Sequence, residues 1–136
     1  YFAKGIPGRG QSEAEINPLL KSFQYAFSGI ITGLKTERNM MIHYSALGLV
    51  VVFGITLKLS VTEWCICLIL CALVISLELV NTAVEAVVDL VTKEHRRRAR
   101  IAKDTAAGAV LIAAITAAVI GGIIFGPKIL ALFALK

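Results

Sequence analysis

Charge is what this chain has least of. Only 17% of its 136 residues are charged and 57% are hydrophobic, with a mean hydropathy of +0.81. A soluble domain is about a quarter charged and about 45–50% apolar. That shortage excludes a soluble globular domain, a disordered chain and a nucleic-acid-binding module. Cysteine is scarce and odd in number: Cys65, Cys67 and Cys71 fall in one apolar run. An odd set excludes a disulfide framework, and the three read as small hydrophobes of a membrane helix rather than metal ligands. No short apolar core with a small-residue cleavage site stands near the start, so no secretory signal is visible. Walker A, kinase glycine-loop and His–Glu zinc patterns are also missing, so any nucleotide chemistry here uses another scaffold.

What is present is membrane-spanning sequence. A spanning helix needs roughly 20 apolar residues, so three use about 60 of the 136 and exclude a large multi-span transporter. Residues 1–16 are Gly-rich and polar without an apolar period, which predicts a mobile tail or expression remnant. Residues 17–136 are expected to form one membrane domain. Asn17 and Pro18 have the form of a helix start. Leu20, Phe23, Phe27, Ile30, Ile31 and Leu34 then lie on one helix face, with Lys21, Gln24, Ser28 and Lys35 at or beyond its edge. This predicts an amphipathic surface helix over 18–36, with lysines for anionic lipid. Spans are expected at about 40–58, 63–91 and 104–126, with Pro127 breaking the last. The fold class expected is all-α and integral to the membrane.

Lys and Arg give the orientation. Five precede the first span, Lys58 alone lies between the first two, six lie at 93–103, and two follow the third. The N-terminal region and the 93–103 loop are therefore expected in the cytoplasm, and the C-terminus outside. In the third span Ala113, Ala117 and Gly121 recur every four residues, as do Ala114, Ala118 and Gly122. Such rows let helices approach closely, and a chain this small is expected to oligomerise.

The informative feature is acidic. Glu78, Asn81, Glu85 and Asp89 stand at offsets of 0, 3, 7 and 11 on one helix. At ~100° per residue they form a stripe about 80° wide and about 16 Å long. Glu78 directly follows Leu77 in an apolar run, and an ionisable residue there signals function. Carboxylates and an amide on one face suit a hard cation such as Mg²⁺ with its phosphate. A carboxylate at the apolar edge suits a general base. Together with a lysine for phosphate, they suit phosphoryl transfer to a lipid hydroxyl.

The stretch Glu78-Leu-Val-Asn81-Thr-Ala-Val-Glu85-Ala-Val-Val-Asp89 resembles the signature of the prokaryotic diacylglycerol kinase family, which includes the undecaprenol kinases of Gram-positive bacteria. Ala99-Arg-Ile-Ala-Lys103-Asp104-Thr-Ala-Ala-Gly-Ala-Val and Glu37-Arg-Asn extend the likeness, which covers about Leu20 to Pro127. The resemblance implies an ATP-dependent lipid kinase of the cytoplasmic membrane, a homotrimer with shared sites. It implies Glu78 as general base, Asn81 beside the transferred phosphate, and Glu37 and Glu85 as ligands of the Mg²⁺ of Mg-ATP. It further implies Lys103 on the ATP phosphates and Asp104 in the nucleotide site. Asp89 matches a motif acid whose role is not separable from structure. Glu-Arg-Asn followed by His43 is similar to the Gram-positive branch and favours undecaprenol over diacylglycerol. An interfacial polar residue without a substrate role is the plainer reading of His43. A non-enzymatic assembly or channel subunit is the competing class for the whole chain. The pairing of Glu37, Glu85 and Lys103 with the motif speaks against it.

Overall fold

Four helices follow from these runs in the computed structural model, which describes residues 18–36, 38–94 and 96–134, and of Thr36 and Arg38 the backbone alone. They are α1 (Pro18–Thr36), α2 (Arg38–Thr56), α3 (Val61–Val91) and α4 (Arg97–Ala134). The expected 1–16 tail, Asn17 and Glu37 lie outside the described residues. α2, α3 and α4 are each long and apolar enough to cross a membrane. Hydroxyl side chains inside the helices bond back to the carbonyl one turn earlier, as Ser45 does to Met41 and Thr116 to Ile112. Those hydroxyls are thereby satisfied within their own helix and not left bare towards lipid.

The α2–α3 turn is closed by local chemistry. Lys58 takes a left-handed backbone at φ 52°. Leu59 N–H donates to the Gly54 carbonyl at 3.0 Å and Lys58 N–H to Ile55 at 3.3 Å, the pairing that ends a helix on a left-handed residue. Ser60 then starts α3 through a capping box. Its hydroxyl accepts from Glu63 N–H at 3.3 Å, and Glu63 Oε2 accepts from Ser60 N–H at 2.7 Å. Glu63 also meets Lys128 Nζ at 3.2 Å. At the opposite end, Lys103 Nζ meets Asp89 Oδ1 at 2.6 Å. These two pairs fix α3 and α4 as an antiparallel hairpin.

The expected stop at Pro127 is corrected: α4 runs through it to Ala134. A proline removes one N–H and crowds the carbonyl four residues back. In a spanning helix no water competes for the other backbone groups, so the remaining turns persist. The Lys128–Glu63 pair holds the chain beyond the proline against α3. α4 also starts earlier than expected, at Arg97, so its first turns carry Arg100, Lys103 and Asp104 on a regular helix.

The buried side of α3 is one stripe: Cys67, Val74, Glu78 and Asn81. It packs chiefly on α4, where Val110 and Ala113 are buried, and secondarily on α2. Two close approaches depend on glycine. A Cβ on Gly54 would stand 2.5 Å from the Trp64 ring, and one on Gly33 would stand 2.6 Å from Leu79 Cδ2. Apart from Gly33 and Leu34, the residues of α1 up to Lys35 are exposed, so this helix touches the bundle only at its C-terminal end. Large apolar side chains such as Ile69, Ile112 and Ile123 face outward, as lipid contact requires.

Candidate active site

The polar stripe divides between two places. Its deep end is a pocket of about 250 Å³ between α2, α3 and α4, lined by Asn39, His43, Glu78, Asn81, Val110 and Ala114 among others. Glu78 is 2% exposed and Asn81 7%. Glu78 Oε1 and Asn81 Oδ1 are both buried without a hydrogen-bond partner among the described residues. Leaving a buried polar atom unpaired costs about 1–3 kcal/mol, more for a charged group. Two such atoms on neighbouring turns of one helix mark a place where a ligand, an ion or water completes the bonding.

Asn81 Nδ2 donates to Glu85 Oε1 at 3.2 Å, so the half-buried Glu85 is tied to the pocket from one turn further along α3. Another turn on, the exposed Asp89 opens a second cavity of about 490 Å³ at the polar end of the hairpin. Asp89, Lys93, Arg96, Arg100, Lys103 and Asp104 are among its lining residues. Lys103 is held by Asp89, and Asp104 forms an ion pair with Arg100, Nε to Oδ2 at 3.4 Å. Arg96 is paired with Glu94 at 2.9 Å. The cavity carries more cationic than anionic side chains, which suits a polyanion such as a triphosphate.

Of the residues expected from sequence, Glu78, Asn81 and His43 share the deep pocket. Asp89, Lys103 and Asp104 share the polar cavity. Glu85 stands between the two. Glu37 lies outside the described residues, and among those described no three His, Cys, Asp or Glu side chains stand close enough to hold a metal by themselves. The donors that are present do fit a hard cation: the Glu85 carboxylate and the unpaired Asn81 Oδ1 are oxygens, the type Mg²⁺ takes.

One contribution escaped the sequence reading: Asn39 lines the Glu78 pocket, one helical turn before His43, and that spacing was the available signal. Arg96 and Arg97, whose sequence reading is chiefly orientation with nucleotide attraction second, line the polar cavity together with Arg100.

Comparison with known proteins places this geometry. Residues 24–125 match the family described as prokaryotic diacylglycerol kinase. The chain is 44% identical over 115 residues to the undecaprenol kinase of Bacillus subtilis (strain 168), covering 85% of this chain and 94% of that one. It is 43% identical over 115 residues to the diacylglycerol kinase of Synechocystis sp. (strain ATCC 27184 / PCC 6803 / Kazusa), covering 84% of this chain and 66% of that one. A buried acidic pocket inside an apolar bundle, joined to a basic cavity at its polar end, is thus carried by a chain that belongs to the prokaryotic diacylglycerol kinase family of lipid kinases.

Proposed function

We propose that this protein transfers the γ-phosphoryl group of ATP to the hydroxyl of undecaprenol, giving undecaprenyl phosphate and ADP. The observation that carries the reading is Glu78: a buried carboxylate with an oxygen unpaired among the described residues, in a pocket it shares with Asn39, His43, Asn81 and apolar side chains. The acceptor hydroxyl sits at Glu78 Oε1 and its oxygen attacks the γ-phosphorus. Its proton passes to the Glu78 carboxylate, and the bond to the ADP oxygen breaks. Asn81 steadies the transferred group from the neighbouring turn. Lys103 exchanges Asp89 for the ATP phosphates, and Asp104 contributes to the same nucleotide cavity. Glu85, with Glu37, would hold the Mg²⁺ of Mg-ATP, and the ion would neutralise phosphate charge there.

The likeness of Glu-Arg-Asn followed by His43 to the Gram-positive branch favours undecaprenol as the acceptor, and His43 lines the pocket of Glu78, within reach of a bound acceptor. The Bacillus relative bears that substrate in its name. Diacylglycerol is the second reading, on the strength of the Synechocystis relative at nearly equal identity. The protein sits in the bacterial cytoplasmic membrane, its basic cavity in the cytoplasm by the Lys and Arg distribution. The surface helix α1 rests its apolar face on lipid. The active unit is a homotrimer with sites shared between subunits; α1 and the small-residue face of α4 leave surface for such contacts.

The test is a side-by-side acceptor assay: purified protein, labelled ATP, Mg²⁺, and either undecaprenol or diacylglycerol in mixed micelles. Transfer to undecaprenol with the higher kcat/KM is expected. Preference for diacylglycerol would overturn the acceptor, and transfer to neither by folded protein would overturn the kinase.

A further inference from the structure

The polar cavity at the end of the α3–α4 hairpin is neutralised from within. Among the described residues, each of the three acids that line it has a cation beside it: Glu94 has Arg96, Asp104 has Arg100 and Asp89 has Lys103. A polyanion that enters meets three occupied cations, and to engage one it must displace a carboxylate. The three pairs are built differently. Arg96 and Glu94 stand two residues apart in the link after α3, and Arg100 and Asp104 one turn apart on α4. Both pairs are local, and their arginine side chains are 68% and 84% exposed. Exposed pairs of this kind hold little energy. Asp89 and Lys103 lie fourteen residues apart on different helices and meet at 2.6 Å, and the Lys103 side chain is only 34% exposed.

A lysine suits a part that moves. Its ammonium is a point charge on a flexible stem, so it passes from one anion to another without the fixed fork geometry of a guanidinium. A carboxylate oxygen and a phosphate oxygen offer that ammonium the same kind of charge-assisted hydrogen bond. Asp89 therefore fills the place of a phosphate while the cavity is empty. When Lys103 turns away, Asp89 keeps a negative charge in the wall of a cavity that now holds a polyanion, and like charges disfavour that loaded state. The hairpin does not depend on this pair alone. Glu63 and Lys128 join α3 to α4 at the other end, and Val110 and Ala113 are buried between them.

We infer that Asp89 is a built-in competitor of the nucleotide phosphates: it holds Lys103 in the empty cavity, yields it to ATP, and reclaims it as ADP leaves. The inference rests on the kinase reading of this cavity. Asp89 is then a positioning residue that acts through Lys103, and its effect is to weaken nucleotide binding and speed release. A purely structural tie between the helices predicts the opposite sign, because its loss would loosen the cavity and weaken binding.

The test sets Asp89→Asn, which keeps the shape and removes the charge, beside Glu94→Gln, which removes one charge from the same cavity but frees Arg96 instead. Binding of Mg-ADP is measured by calorimetry in detergent for both, with Lys103 intact and again with Lys103→Met. Asp89→Asn should tighten ADP about two- to fivefold, the scale of a partly exposed ion pair, and by more than Glu94→Gln does. Release of a fluorescent ADP analogue, followed by stopped flow, should slow by the same factor. In the Lys103→Met background the two substitutions should act alike, since the coupling runs through that lysine. In steady state the KM for ATP should fall without a rise in kcat, as added ground-state binding requires. Equal tightening by both substitutions with Lys103 present would mean that net charge alone counts, and it overturns the inference. So does a gain from Asp89→Asn that survives undiminished without Lys103. Weaker binding together with earlier thermal unfolding makes Asp89 a structural tie and overturns it as well. Asp89→Ala, at an exposed helix position that alanine favours, carries the same comparison should the Asn variant fail to fold. Wild-type protein that binds no ADP overturns the nucleotide reading of the cavity itself. Tightening of ADP without phosphate transfer to any lipid would instead overturn the kinase reading and leave the exchange standing.

Discussion

Replacing Glu78 by Gln isolates what its carboxylate does, because the two side chains have the same shape. A positioned general base contributes about 10²- to 10⁴-fold to a rate, which is about 3–5 kcal/mol of barrier. Glu78→Gln should lower kcat by that factor. Nucleotide affinity should be unaffected, since the polar cavity around Lys103 begins about three turns further along α3. Stability should move the other way. The wild type buries Glu78 Oε1 and Asn81 Oδ1 with no partner among the described residues, on adjacent turns of one helix. A glutamine amide removes the buried charge and offers Asn81 Oδ1 a donor, so a gain of about 1 kcal/mol is expected. Three assays read this out: phosphate transfer in micelles, nucleotide binding by calorimetry, and thermal unfolding in the same detergent. A variant that keeps more than about a tenth of kcat, loses nucleotide binding, or melts below wild type would refute the reasoning. The last result would mean that Glu78 is a structural residue whose partner is native packing.

Three further outcomes are expected. Lys103→Met should raise the KM for ATP about tenfold or more, the worth of a charge-assisted hydrogen bond to phosphate, and should leave the KM for the lipid alone; steady-state kinetics with each substrate varied checks this. Glu37→Gln should raise the Mg²⁺ concentration for half-maximal rate, and an unchanged metal titration would remove Glu37 from the site. Gly54→Ala should cost about 1–3 kcal/mol, because its methyl meets the rigid Trp64 ring at 2.5 Å. Gly33→Ala should be nearly neutral, because its methyl meets the flexible ends of Leu79 and, at 3.5 Å, Met40, and alanine gains helix propensity. Equal melting of the two glycine variants would contradict that comparison.

The helices were legible because their signals are local. An uncharged run of 22 residues, Thr105 to Gly126, reads as a span wherever it occurs. The spacing of Glu78, Asn81 and Glu85 likewise places them on one face before any fold is known. The end of α4 was misread because the rule that proline stops a helix comes from water, where freed carbonyls find other partners. The joining of His43 to Glu78 was not legible, since it depends on how α2 rests on α3 and no spacing encodes that. The pairing of Asp89 with Lys103 crosses a turn and needs the hairpin register. The two rows of small residues on α4 looked equivalent in sequence. In the fold they do not separate: Ala113 is buried in the bundle, while Ala117 and Gly121 of its row and Ala114 and Ala118 of the other line one apolar cavity between α2, α3 and α4.

The buried stripe of α3 also constrains how the protein is made. A helix bearing Glu78, Asn81 and Glu85 enters hydrocarbon poorly by itself, since an acidic residue near its centre costs on the order of 2.5–3.5 kcal/mol on insertion scales. α4 follows after a link of only residues 92–96 and brings an uncharged run long enough to span. It also covers the stripe, as Val110 and Ala113 do in the finished bundle. Entry of the two as a single hairpin shields the carboxylates from lipid throughout, whereas a nascent chain that stops short of α4 has nothing to hide them. Membrane integration of the acidic helix therefore waits on translation of the helix after it.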